Sequence, residues 1–87
     1  MATASDTSTA IREFIVREFL FDDVSALPDD DASLLDSGIM DSTGVLTLIM
    51  FIEEEFAIVV ADEDVIPEYL DSVNNITAYV TSRRSSR

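Results

Sequence analysis

Few residue types in this chain could do chemistry. It has eighteen Asp and Glu and a scatter of Ser and Thr, but no cysteine, histidine or lysine. A serine nucleophile needs an adjacent base, and the chain has neither His nor Lys to act as one. Triads built on His, thiolate catalysis, disulfides and the usual zinc sites are excluded with them. What remains is a hydroxyl whose setting suits modification by another enzyme. Asp-Ser occurs at Asp36-Ser37, Asp41-Ser42 and Asp71-Ser72, and such a pair is usually a cap or turn. Ser72 reads as a helix cap and Ser37, before Gly38, as a turn residue. Ser42 alone has an acid before it, a Gly four residues back and an amphipathic helix after it.

Carboxylate chemistry fares no better. An EF-hand loop beginning at Asp29 needs Gly at its sixth position and Glu at its twelfth, where the chain has Leu34 and Met40. A paired-carboxylate glycosidase needs a cleft that 87 residues cannot build. No enzyme activity is expected.

The elements that position Ser42 follow from apolar spacing. Ile11, Phe14, Ile15 and Phe19 fall at helical offsets within a first helix over 10–21. Residues 1–9 read as a flexible lead-in offering Thr7, Ser8 or Thr9 as its cap. Residues 22–41 show no period and form a long ordered loop, pinned by Leu27, Leu34, Leu35 and Ile39. The strongest helix runs from Ser42 to Phe56 with Asp41 as N-cap. Gly44 in its first turn costs about 1 kcal/mol relative to Ala, which implies close approach of something there. Residues 57–71 are irregular, with Pro67 starting a short helical turn and FAIVVA, residues 56–61, as buried loop. A last helix begins near Asp71 or Ser72 and buries Val73, Ile76 and Val80, with Tyr79 alongside. The fold class is all-α, a small four-helix bundle with three longer helices and one short one. The domain spans 10–82, and 83–87 form a basic flexible tail.

On a wheel advancing 100° per residue, Val45, Leu48, Ile49, Ile52 and Phe56 cluster within about 60° and form the core face of the second long helix. Phe51 lies on the other side of that arc and is expected under the short third turn. Leu46, Met50 and Glu53 share a flank with Ser42; Thr43, Thr47 and Glu54 lie just beyond. An apolar strip with acidic neighbours beside a lone hydroxyl suits a docking partner, and Met adapts to several partners. The plainer alternative packs Leu46 and Met50 under the loop or the third turn.

The net charge is −13, and three of the five cations are Arg83, Arg84 and Arg87. Such a field repels nucleic acid and anionic lipid and speeds encounter with basic proteins. The first residues have neither a basic region nor an apolar run, so no leader is expected. No stretch reaches the ~20 apolar residues of a membrane span. The expectation is a cytoplasmic monomer.

Gly38-Ile39-Met40-Asp41-Ser42 and the helix ending in Glu53-Glu54-Glu55-Phe56 resemble the prosthetic-group segment of the acyl and peptidyl carrier proteins. Asp71-Ser72-Val73-x-x-Ile76-x-x-Tyr79-Val80 is similar to that family's last helix, and the resemblance covers roughly residues 11–81. It implies 4′-phosphopantetheine attached to Ser42, with Asp41 capping the helix and orienting the serine. It implies a thioester-bound acyl or aminoacyl cargo for a fatty-acid, polyketide, nonribosomal-peptide or related pathway. The implied partners are a phosphopantetheinyl transferase, an adenylating ligase or acyltransferase, and downstream pathway enzymes. Thr43, Leu46, Met50, Glu53 and Glu54 would form the docking flank. The residue after the serine is usually Leu in that family and is Thr43 here. Gly44 and Thr47 stand where fatty-acid carriers place acids. Asp-Ser-x-Gly followed by an apolar helix is more similar to free-standing carriers loaded by adenylating enzymes, such as D-alanyl carrier protein, and both departures speak against a housekeeping fatty-acid role. The competing reading is a small acidic helical interaction module with an unmodified Ser42.

Overall fold

The computed structural model describes residues 4–85, and side chains from Thr7 to Arg84. Helix α1 spans Ala4–Phe19, α2 Ser42–Phe56, α3 Pro67–Leu70 and α4 Val73–Ser85, with 3-10 turns at Val24–Ala26 and Asp62–Asp64. Among the described residues there is no strand, and the all-helical expectation of three longer helices and one short one holds.

Helix α1 starts at Ala4, earlier than the expected Ala10. Thr7 and Ser8 are buried within it instead of capping it. The reason is register: positions 7 and 8 precede Ile11 by four and three, so they share its core-facing stripe. The helix also stops sooner, at Phe19. Phe21 and Asp22 turn left-handed, at φ 54° and 66°. That conformation costs a non-glycine residue roughly 1–2 kcal/mol. The expected basic tail is partly helix, since Arg83 and Arg84 lie in the last turn of α4. The Arg84 guanidinium rests 5.8 Å from the centre of the Phe56 ring. Met1, Ala2 and Thr3 of the expected lead-in, and Ser86 and Arg87 of the expected tail, lie outside the described residues.

The core gathers Ile11, Phe14 and Ile15 of α1, Leu48 and Ile52 of α2, Leu70 of α3 and Val73, Ile76 and Val80 of α4. Full burial of one such side chain contributes about 1.5–3 kcal/mol. Val45, Ile49 and Phe56 pack half-buried at its margin. Phe51 does not lie under the third turn. Its ring stacks on Phe14 of α1, centroids 4.2 Å apart, and meets Phe56 edge-on. FAIVVA is only partly buried: Val60 enters the core while Val59 stands in solvent, after Ala57 ends α2 in a left-handed turn.

The long loop is ordered by polar anchors as well as by Leu34 and Met40, both buried. Asp71 accepts from Ser33 Oγ at 2.6 Å and from the Leu35 amide at 2.9 Å, while its carbonyl accepts from the Leu34 amide. Arg12 meets Asp30 through two parallel hydrogen bonds, and the guanidinium holds that carboxyl below its usual range. The Asn74 amide donates to the Asp30 carbonyl, and its side chain donates to Asp31. The α1–α2 connection is thereby tied to α1 and α4.

Gly44 packs tightly against the end of α1 and the residue before the N-cap. A Cβ there would lie 2.9 Å from Met40 Cγ and 2.9 Å from a Phe19 ring carbon. Gly44→Ala should therefore lower stability by about 1 kcal/mol in urea melts, the overpacking penalty exceeding the gain in helix propensity. A second expectation concerns Tyr79, whose hydroxyl donates to Asp64 Oδ2 at 2.9 Å. Burial first, and that hydrogen bond second, push its pKa up to about 12, from about 10 when unfolded. A raised folded pKa gives stability that is complete below the unfolded value and lost as pH rises through the folded one. The melting-temperature gap between wild type and Tyr79→Phe should be constant below pH ~10 and close by pH ~12.

Candidate functional site

Asp41 is extended, at φ −117° and ψ −170°, and its Oδ1 accepts from the Gly44 amide at 2.8 Å. Its carbonyl takes the first helical hydrogen bond, from the Val45 amide at 2.9 Å. The N-cap expected at this position is in place. Ser42, the first helical residue, follows directly and is exposed. Its hydroxyl has no hydrogen-bond partner among the described residues. The amides of Ser42 and Thr43 belong to the first turn, where no helical carbonyl can reach them.

The other two serines that follow an Asp are committed elsewhere. Ser72 is buried, and its Oγ accepts from the Asn75 amide at 3.1 Å, capping α4. Ser37 Oγ donates to the Leu34 carbonyl at 3.1 Å, just before Gly38 turns the chain at φ 80°. Ser42 is the one of the three with an exposed and unengaged hydroxyl.

Along α2 the expected flank is exposed. Leu46 and Met50 are 61% and 66% accessible, so neither is packed under the loop or the third turn. Thr43 and Glu54 are also exposed. Glu53 differs: it is half-buried, and its Oε2 accepts from the Val60 amide at 2.9 Å, holding the chain that leaves α2. An apolar cleft of about 230 Å³ opens beside the serine. Ser42, Val45 and Leu46 form one wall, Leu35 comes from the loop, and Val65, Ile66, Pro67 and Leu70 close the α3 side. Sequence periodicity did not reveal the α3 wall, because four residues of helix carry no period. Met40 was missed as well, although an apolar residue directly before an N-cap is a known signal of packing at a helix entry.

The sequence matches the family described as phosphopantetheine attachment site over residues 10–80. The chain belongs to that family. Its members carry 4′-phosphopantetheine covalently on a serine and are themselves non-catalytic. The chain is 33% identical to the D-alanyl carrier protein of Abiotrophia defectiva over 66 residues, which cover 76% of this chain and 84% of the relative. The solved structure of KstB-PCP in its apo form superposes with a TM-score of 0.73 at 33% identity, covering 92% of this chain and 88% of that one. For a phosphopantetheine carrier the observed geometry fits the group. An accessible hydroxyl can be esterified without unfolding anything, the free first-turn amides and helix dipole favour a phosphate, and the cleft leaves open space beside Ser42.

The cap generates a direct test. Asp41→Ala should cost about 1 kcal/mol in denaturant melts through loss of the hydrogen bond to Gly44, whereas Asp41→Asn should recover most of it.

Proposed function

We propose that Ser42 is the attachment serine and that this chain holds an acyl or aminoacyl group as a thioester for transfer between enzymes. The observation that carries the reading is the exposed, unengaged hydroxyl of Ser42 at the start of α2 in a chain of the phosphopantetheine attachment family. When bound, the group supplies a terminal thiol on a long flexible tether. The chain's own contribution is positional. Asp41 fixes the first turn of α2 and so the direction of the Ser42 hydroxyl. The dipole and free amides of that turn stabilise the phosphodiester. The bundle holds the site rigid while leaving the tether in solvent.

The partners follow from this chemistry. A phosphopantetheinyl transferase installs the arm from coenzyme A, a step we read as cytoplasmic. An adenylating ligase or an acyltransferase loads the thiol, and a downstream enzyme of a fatty-acid, polyketide, nonribosomal-peptide or related pathway takes the cargo. Of the two loading routes we favour the adenylating ligase. Gly44 and Thr47 stand where fatty-acid carriers have acids, and the similarity to a D-alanyl carrier protein supports the same choice. Docking is assigned to Thr43, Leu46, Met50 and Glu54, with Glu53 at the edge of the flank and one carboxylate oxygen committed to Val60. A charge of −13 opposes self-association and supports a monomer.

Intact mass before and after incubation with coenzyme A and a broad-specificity phosphopantetheinyl transferase tests the assignment. Wild type should gain one phosphopantetheine, mapped to Ser42 by fragmentation, and Ser42→Ala should fold normally and gain none. Modification of the Ser42→Ala protein would move the site elsewhere. A well-folded wild type that gains nothing would leave an unmodified acidic interaction module as the better reading.

A further inference from the structure

Phe21 is 94% exposed and left-handed at φ 54°, and Asp22 follows at φ 66°. The position after a helix end is normally given to glycine or asparagine, which adopt this backbone without strain. A phenylalanine there is strained, and a ring in solvent has no packing to offset it. The turn itself is firmly made. The Asp22 amide donates to the Val16 carbonyl at 3.0 Å and the Asp23 amide to the Leu20 carbonyl at 2.9 Å. Val24, 70% exposed, comes next on a 3-10 turn capped by Asp23, whose Oδ1 accepts from the Ser25 amide. Two apolar side chains therefore stand in water on a backbone fixed by hydrogen bonds.

Their surroundings are acidic. Glu18, Asp22 and Asp23 are exposed beside them, and the neighbouring cation, Arg17, is paired with Glu18 and lies 5.9 Å from the centre of the Phe14 ring. Their place in the bundle is set by Phe19, two residues before Phe21, which lies against Gly44 in the first turn of α2. Phe21 thus follows the α1 residue that packs on the first turn of α2, at the end of the molecule that carries Ser42.

We propose that Phe21 and Val24 form a docking prong for the enzyme that installs the arm on Ser42, entering an apolar socket rimmed by Lys or Arg. The proposal rests on the reading of Ser42 as the attachment serine. The acidic collar selects a cationic rim, and it argues against a second copy of this chain, since −13 would meet −13. A backbone strain that folding does not use is explained where binding uses it.

Phe21→Gly and Phe21→Asn test this, because both residues suit the left-handed turn. Each variant and wild type would be incubated with coenzyme A and a broad-specificity phosphopantetheinyl transferase over a range of carrier concentrations, with thermal melts recorded alongside. The expected result is a melting temperature equal to or above wild type together with a kcat/KM for arm installation about ten-fold lower, carried by KM, as for loss of an apolar anchor at an interface. Two variants that accept the arm at the wild-type rate would overturn the prong. So would two variants that melt well below wild type, since the ring would then be packing within the native protein. A wild type that takes no arm would overturn the Ser42 assignment itself, which distinguishes the two failures.

Discussion

The first turn of α2 can lie against the end of α1 only because residue 44 has no side chain. Phe19 and Met40 occupy the space that a Cβ would need, and Met40 is buried there while its neighbour Asp41 faces water. From that contact follows the point at which the loop must stop and α2 must begin. With Met40 anchored inside, Asp41 falls at the cap, Ser42 falls one residue beyond it, and the serine side chain is left outside the bundle. Packing of apolar atoms thus decides where a polar hydroxyl is displayed. The helix propensity forgone at Gly44 is offset by this docking.

The rest of the loop is held by a different kind of force. The 22 residues between α1 and α2 lose much conformational entropy when they order, and Leu34 with Met40 is a small apolar anchor for them. Asp71 supplies three more hydrogen-bonded fixings through its carboxylate and carbonyl, and Asp30 and Asp31 reach Arg12 and Asn74. Much of the acidity concentrated in the loop is therefore structural at one atom and solvated at the next. Single surface ion pairs contribute little by themselves. Their value here is in fixing the direction of a segment that already has two buried ends.

Helix α2 was legible to the residue, because a capping Asp, a following amphipathic run and a terminal acidic cluster all agree. The α1 boundaries were not. Thr7 and Ser8 carry hydroxyls that read as caps, yet their spacing from Ile11 puts them on the buried stripe. At the other end Phe21 continues an apolar count into a turn that the backbone takes left-handed. Phe51 showed the limit of a helical wheel, which gives a side chain's angle but not which neighbour will fill it; the neighbour was Phe14. Ser42 stood out because its two competitors could be assigned structural roles from their context, and the hydrogen bonds of Ser37 and Ser72 bear that separation out. The cleft beside Ser42 was hidden because half of its wall comes from α3 and the segment before it, too short to show a pattern.

If Ser42 carries a thioester, as proposed, the chain's side-chain inventory has a further consequence. The chain contains no lysine amine, no cysteine thiol and no histidine imidazole, the side chains that intercept activated acyl groups most readily. Cargo swinging on a tether over this protein would meet none of those three groups on a side chain. On the proposed reading, loss of cargo would fall mainly to water and to the enzymes that dock, because the chain lacks the side chains that acylate fastest. The same inventory would make the tether's sulfur the sole thiol in the molecule, so a maleimide would report directly on whether it is free or loaded.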